Sequence, residues 1–148
     1  MFIEDSIEID APAQLVWQVF SDVERWPEWT ASVTSLVGRD GVDLAVGKRF
    51  SIKQPGMGTL VWKVTEVDPG LHWTWVQRAP GALTTARHDV IALPDGRTLV
   101  RQQLAQRGVL GELVARLMGN KTKRFLHLEA HGLKARVEQL HHAHGTNS

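Results

Sequence analysis

The chain opens with a run in which apolar and polar residues alternate. Isoleucines and acidic residues take turns over Phe2–Ile9, and this period of two predicts a first β-strand. Pro12 stops that strand and suits the first turn of a helix, which we expect to reach about Val23. Pro27 restricts the backbone of Trp26, so a second, short helix or a tight turn should follow.

The middle of the chain also repeats its apolar positions with a period of two. Turns that contain glycine or proline separate the runs. We therefore predict six further strands, at about 33–38, 48–54, 59–67, 71–77, 84–93 and 98–106. Short turns between consecutive strands favour an antiparallel sheet, which can bury one face and leave the other in water.

After the last strand the apolar period changes to three and four, which is typical of a helix. The apolar stripe runs from Leu110 to His142, and such a helix would be about 50 Å long at ~1.5 Å per residue. We expect it to pack along most of its length on one face of the sheet. Gly119 and Asn120 interrupt the stripe, and glycine is a poor helix former, so we expect a bend or a loosened turn there.

Length and composition favour a single folded domain. A chain of 148 residues suits one core, which we place at residues 1–142, with a flexible tail at 143–148. Hydrophobic residues make up 43% of the chain, which argues against disorder. Cysteine is absent, so disulfides and thiolate chemistry are excluded.

Charge and hydropathy bound the partners. The chain has 17 basic and 16 acidic residues, a net charge of +1, which offers no electrostatic case for binding nucleic acid or an anionic membrane. No window approaches the ~20 apolar residues that a membrane span needs, and the acidic N-terminus does not have the pattern of a signal peptide. We predict a soluble, cytoplasmic protein without membrane insertion; a homodimer stays open.

Four segments give this chain a resemblance to the START-like superfamily, which includes Bet v 1-like proteins and the polyketide cyclase/dehydrase family. They are Ile7–Trp17 (strand, Ala-Pro, helix with Val-Trp), Asp22–Trp29 (D-x-x-x-W-P-x-W), Val64–Pro69 and Gly132–Glu138 (G-L-K-x-x-x-E). The resemblance implies an α+β helix-grip fold. In that fold a curved antiparallel sheet of six to seven strands wraps around a long C-terminal helix, with two short helices after strand one. It also implies a long apolar cavity between the sheet and that helix.

Bulky apolar side chains are the first candidates for a ligand site in such a cavity. Trp62, Trp73 and Trp75 lie on the apolar faces of their strands, where they either line the cavity for a flat, apolar ligand or simply fill the core. Neighbouring strands and the long helix add four apolar candidates, Val90, Leu104, Met118 and Phe125.

His88 is the candidate for a polar or catalytic role. The alternation alone leaves its direction open, because either His88 and Val90 or Arg87 and Asp89 face inward; the family resemblance favours His88. An inward histidine can act as a general acid or base or can hydrogen-bond a ligand carbonyl.

The last strand offers a second polar candidate. If Val100 and Leu104 face the core, Gln102 points inward with them and needs a hydrogen-bond partner. In the opposite phase Arg101 would enter the cavity and would indicate an anionic ligand. We favour Gln102.

Signals for metals and cofactors are weak. His127 and His131 have the i, i+4 spacing of a helical metal pair. No third ligand is evident except Glu129, which is offset around the helix, or the histidines of the tail. The basic run from Lys121 to Arg124 is most simply a solvated face. There is no phosphate-binding glycine loop and no nucleophile motif. We therefore predict no metal and no cofactor.

Three functions fit this sequence. The leading hypothesis is binding of a small hydrophobic molecule, such as a lipid, an isoprenoid or a polyketide-like ring compound. The second is an enzyme of the cyclase/dehydratase type that uses His88 as acid and base. The third is a partner-binding module like the chaperone cofactors of the superfamily, which predicts an exposed apolar patch and a small or closed cavity. The fold does not choose among them.

Overall fold

A computed structural model describes residues 1–145 and contains one seven-stranded antiparallel sheet, two α-helices and a 3₁₀ helix. The strands are β1 (Phe2–Ile9), β2 (Ser35–Gly38), β3 (Arg49–Lys53), β4 (Thr59–Asp68), β5 (His72–Ala79), β6 (Ala82–Ala92) and β7 (Thr98–Arg107). The helices are α1 (Ala13–Ser21), the 3₁₀ helix (Val23–Glu28) and α2 (Gly111–Gly145). This is the predicted α+β helix-grip architecture.

The sheet has the strand order β1-β7-β6-β5-β4-β3-β2, so the first strand lies beside the last. From β2 onward each strand pairs with its neighbour in sequence, as short turns require. The register places His88 of β6 between Trp73 of β5 and Gln102 of β7. Three side chains from different strands therefore stand in one row across the sheet.

The core lies between the inner face of the sheet and the helices. Phe20 of α1 and Trp26 of the 3₁₀ helix are buried, with ring centroids 5.5 Å apart in a stacked arrangement. The second half of α2 contributes Leu133 and Val137, both fully buried. The Trp26 indole N–H donates to the Phe20 carbonyl oxygen at 2.8 Å, which ties the 3₁₀ helix to the end of α1.

Three predictions about the helices need correction. The helical turns of α2 continue through Gly119 and Asn120, because one glycine costs a helix only about 1 kcal/mol and the flanking turns outweigh it. In the first turns of α2 the predicted apolar stripe is only partly covered, since Leu113 and Leu117 are exposed while Met118 is half-buried on the cavity side. The helix also extends to Gly145, so residues 143–145 of the predicted tail are helical, and residues 146–148 lie outside the described part of the chain.

One glycine of α2 marks a close approach between two segments. A Cβ atom on Gly132 would overlap the main-chain carbonyl oxygen of Trp29. Only glycine lets α2 lie against the chain that follows the 3₁₀ helix. Among residues 1–145, no helix is long and apolar enough to cross a membrane.

Candidate functional site

A cavity of about 280 Å³ lies between α2 and the inner face of strands β3 to β7. Most of its wall is apolar, and the 3₁₀ helix adds the side chain of Trp26. The polar side chains on the wall are few: Gln54, Gln77, Thr84, His88, Gln106, Thr122 and Glu129. A concave, mostly apolar cavity with a few polar groups is typical of a small-molecule site.

Burial changes along the cavity, so its two ends differ. At one end Trp26, Trp75, His88 and Glu129 are each at most 6% exposed, and we call this the closed end. Along β5 the wall then passes to Gln77 and Ala79, which are increasingly exposed. The wall residues at that second end, which we call the open end, include Ala79, Ala82, Gln106 and Met118.

Glu129 brings a carboxyl group to the closed end. The Ser32 hydroxyl donates to Glu129 Oε1 at 3.1 Å, and the Gln102 amide Nε2 donates to Glu129 Oε2 at 2.8 Å. The Ser32 hydroxyl in turn lies 2.9 Å from that of Thr30. Each of these four side chains is buried, and each partner of the carboxyl is uncharged.

Burial raises the pKa of the Glu129 carboxyl to about 7, because the charged form loses its hydration. The hydrogen bonds from Gln102 and Ser32 lower the pKa by less than burial raises it, and the nearby Asp5 carboxylate adds to the rise. Glu129 therefore exists in both the neutral and the ionised form near neutral pH. A group of this kind can donate or accept a hydrogen bond at the closed end.

His88 stands on the same part of the wall and is enclosed by aromatic rings. Its imidazole stacks on Trp73 with ring centroids 4.2 Å apart and planes 9° apart, and meets Trp26 and Trp75 edge-on. Burial lowers the pKa of His88 to about 3, so the ring is neutral at neutral pH. His88 Nδ1 lies 3.4 Å from the Trp73 carbonyl oxygen, which can only accept, so the proton is on Nδ1 and Nε2 is an acceptor.

Most of the side chains that we predicted for the site lie on the cavity wall. These are Trp62, Trp75, His88, Leu104, Met118 and Phe125. The open question of strand phase is also answered, since His88 and Gln102 both point to the buried face, although Asp89 on the other face is buried as well. A role of these residues in ligand binding stays a prediction.

Three predicted residues do not line the cavity. Trp73 is fully buried beneath α1, with its ring 4.8 Å from that of Phe20. Val90 follows His88 on β6 beyond the closed end and belongs to the core. Gln102 is turned towards Glu129 and reaches the site only through that hydrogen bond.

Glu129 is the residue that the sequence-based prediction missed. The signal was present, because Glu129 lies four residues after Phe125 and four before Leu133, on the apolar stripe of α2. A lone carboxyl in such a stripe indicates a buried group with a special environment. We considered Glu129 only as a third ligand beside His127 and His131.

The described residues do not form a metal site of three or more His, Cys, Asp or Glu side chains. The rings of His127 and His131 lie 4.1 Å apart, and the side chain of His127 is 63% exposed. This pair therefore belongs to the solvated face of α2.

Comparison with solved structures finds the same fold in proteins of low sequence identity. A hypothetical protein from Helicobacter pylori has a TM-score of 0.77 at 18% identity over 93% of this chain and 88% of its own. A START superfamily protein from Mycobacterium smegmatis has a TM-score of 0.68 at 20% identity over 94% and 98%. The di-domain ARO/CYC protein BexL, from the BE-7585A biosynthetic pathway, has a TM-score of 0.70 at 21% identity over 93% and 46%.

Sequence comparison gives the family. No curated protein matches the chain. The family model described as "Polyketide cyclase / dehydrase and lipid transport" matches residues 3–138, which run from the start of β1 to the last turns of α2. The chain therefore belongs to the polyketide cyclase/dehydrase and lipid-transport family.

Proposed function

We propose that the cavity binds a small hydrophobic molecule of the lipid, isoprenoid or polyketide-like kind. The observation that carries this proposal is a mostly apolar space of about 280 Å³ that the protein's own side chains leave between α2 and the sheet. Protein interiors seldom keep a void of this size without a use, because unfilled volume weakens dispersion contacts.

The chemistry of the wall supports the same kind of ligand. Trp62, Trp75, Leu104, Met118 and Phe125 offer apolar contact surface. Affinity would come from removing the ligand's apolar area from water, at about 25 cal/mol per Å² before the cost of association is subtracted. The family description, which names lipid transport together with polyketide cyclisation, agrees with a ligand that is largely apolar.

A cavity-filling variant tests the proposal. Ala86 lies on the wall with its side chain towards the cavity, so we expect Ala86→Phe to occupy the space and abolish displacement of a bound fluorescent fatty or polycyclic probe. Ala92 is exposed on the same strand, and Ala92→Phe is the matched control. Urea unfolding of both variants shows that they remain folded. Equal probe binding by Ala86→Phe and wild type would contradict the proposal.

A second candidate, an enzyme of the cyclase/dehydratase type, is favoured by the two titratable side chains at the closed end. Proton transfer is most efficient when the pKa of the group lies near the working pH. Glu129, with a pKa of about 7, meets that condition better than His88, with a pKa of about 3. The acid–base role that the sequence assigned to His88 would therefore pass to Glu129.

Comparing two variants on a poly-carbonyl substrate tests this candidate. Glu129→Gln should lose cyclisation, and His88→Ala should keep more of it, provided that both stay folded. Equal turnover by Glu129→Gln and wild type would exclude proton transfer by Glu129.

The partner-binding alternative is less favoured. It requires a small or closed cavity, whereas this one is unfilled and reaches partly exposed residues at its open end. The side chains of Val109, Leu113 and Leu117 are exposed near the start of α2, and an apolar patch there stays a prediction of this alternative. The cytoplasmic location and a homodimer stay predictions from the sequence.

A further inference from the structure

The closed end of the cavity holds a carboxyl group without a cationic partner. In the described part of the chain, the hydrogen-bond partners of Glu129 are the Ser32 hydroxyl and the Gln102 amide, and it forms no ion pair. A buried carboxylate in proteins is ordinarily paired with a cation or held by several donors. Burying a carboxyl group without a cation lowers the stability of the folded protein. This cost indicates that Glu129 has a functional role.

Among residues 1–145, the elements packed around Glu129 bring no compensating positive charge to it. The 3₁₀ helix contributes Trp26 to the same wall, the following loop contributes Ser32, β6 contributes the neutral His88 and β7 contributes Gln102. The charge from β1 that acts on Glu129 is the carboxylate of Asp5, which has the same sign. A second anion placed here would have nothing to neutralise it.

The closed end is also short of hydrogen-bond donors. His88 Nε2 is an acceptor, because the proton lies on Nδ1. The amide Nε2 of Gln102 lies behind Glu129 and donates to its carboxyl group. His88 Nε2 and the Glu129 oxygens, which are both on the cavity wall, therefore suit a ligand group that can donate a hydrogen bond.

We propose that Glu129 recognises an uncharged oxygen-bearing end of the ligand, a hydroxyl or a carbonyl, and that the cavity excludes ligands that end in a carboxylate or a phosphate. This inference rests on the proposed function, since it names the class of ligand that the same cavity takes. The proposal predicts that the cavity accepts fatty alcohols, sterol-like alcohols and hydroxylated or keto ring compounds. It predicts that the cavity excludes fatty acids and phospholipid headgroups.

Hydrogen-bond chemistry explains why an uncharged polar end is preferred to an anionic one. A ligand hydroxyl can donate to the ionised Glu129 or accept from the neutral acid, so it has a partner in either form. A ligand carbonyl can only accept and needs the neutral acid. An anionic end would lose its hydration beside a carboxyl that has no counter-ion, and an unpaired buried charge is strongly unfavourable.

Matched ligand pairs test the proposal directly. Decanol and decanoate share an alkyl chain, and naphthol and naphthoate share a fused ring, so each pair differs in its polar end. We expect wild-type protein at neutral pH to bind at least one alcohol about tenfold or more tightly than the matched acid, which is the size of effect that one unpaired polar group produces. Titration calorimetry or displacement of a fluorescent probe gives the two dissociation constants.

Two variants assign the selectivity to Glu129. Glu129→Gln keeps the shape and removes the negative charge, so the ratio of acid to alcohol dissociation constants should fall several-fold towards one. Glu112 is exposed near the start of α2, and Glu112→Gln is the matched control that should leave the ratio unchanged. If Glu129→Gln does not fold, the wild-type ratio itself still decides, because the proposal requires the alcohol to be preferred.

The outcomes separate the two proposals. If neither member of either pair binds, and Ala86→Phe behaves like wild type towards every probe, the proposed function fails. If alcohols and acids bind equally, or acids bind more tightly, or Glu129→Gln leaves the ratio unchanged, the assignment to Glu129 is overturned while ligand binding stands.

Discussion

Glu129 and His88 show how one environment shifts two pKa values in opposite directions. Burial disfavours the charged form of each group, so it raises the pKa of the carboxyl to about 7 and lowers that of the imidazole to about 3. Between these values both side chains are mostly neutral. The closed end of the cavity is therefore polar without being charged under mildly acidic conditions, and Glu129 begins to ionise as the pH approaches 7.

The Glu129 carboxyl should make stability fall as pH rises. Its pKa is 4.5 in a model peptide and about 7 in the folded protein, so between these values the folded state holds a proton that the unfolded state has released. This linkage destabilises the protein by about 3 kcal/mol across that window. In urea unfolding, Glu129→Gln should become more stable relative to wild type as pH rises from about 4.5 to 7. A difference that is independent of pH would contradict the assigned environment.

The His88 imidazole should have the opposite effect. Its pKa is 6.5 in a model peptide and about 3 in the folded protein. Between pH 6.5 and 3 the unfolded state therefore binds a proton that the folded state does not bind. Stability should therefore fall as pH drops from 6.5 towards 3, by on the order of 5 kcal/mol in total. His88→Gln should lose this acid sensitivity, whereas His131→Gln, on the exposed face of α2, should keep it. Unchanged acid sensitivity in His88→Gln would show that His88 is hydrated.

At the scale of elements, the two halves of α2 differ in how they pack. Its second half contains the fully buried Leu133 and Val137 and closes the core. Its first half carries Met118 on the cavity wall while Leu117 faces water. The first half of α2 is only partly buried, and the space beneath it is the open end of the cavity.

Two glycines of α2 give a matched test of this packing. Gly132→Ala should destabilise the protein by about 1–3 kcal/mol or more, because the new methyl overlaps the Trp29 carbonyl oxygen and the helix must shift. Gly119→Ala should instead stabilise it by up to about 1 kcal/mol, since its Cβ would meet only Met1 Sδ at 3.9 Å and alanine favours helix. Urea unfolding measures both. Equal effects of the two changes would mean that α2 does not approach Trp29 closely.

Periodicity predicted the elements well because each is long enough to repeat its pattern. β4 and β6 alternate over ten or more residues, and their bounds lie within two residues of the prediction. The loosened turn predicted at Gly119 is not present in α2. Helix propensity is a weak local preference, and the packing of a 35-residue helix overrides it. The 3₁₀ helix resolves the choice between a short helix and a tight turn at Pro27.

At the scale of the whole molecule, the cavity results from a mismatch of volumes. Small side chains, Ala79, Ala82 and Ala86, stand on β5 and β6 where α2 lies above the sheet. On β5, Trp73 fills the space towards α1, with its ring 4.8 Å from that of Phe20. The sequence predicted the apolar wall, but it contained no information on which of the tryptophans face empty volume. That depends on how far α2 stands from the sheet, a distance set by many side chains together.

The hydrogen-bonded cluster around Glu129 is a further whole-molecule feature. Ser32, Gln102 and Glu129 are 70 and 27 residues apart along the chain, and their contact depends on the fold. Pattern analysis placed Gln102 inward but had no means of identifying its partner. A buried glutamine and a lone glutamate in an apolar stripe each indicate an unidentified hydrogen-bond partner. In the structure these two residues are hydrogen-bonded to each other.

The most direct test of this account is native mass spectrometry of freshly purified protein, followed by denaturing extraction of any bound molecule. We expect wild type and the control Ala92→Phe to carry a small apolar compound with a hydroxyl or carbonyl end, and Ala86→Phe to have the mass of the bare chain. Wild type with only the bare mass, and without affinity for any alcohol, ketone or acid offered to it, would contradict the claim that the cavity is a ligand site.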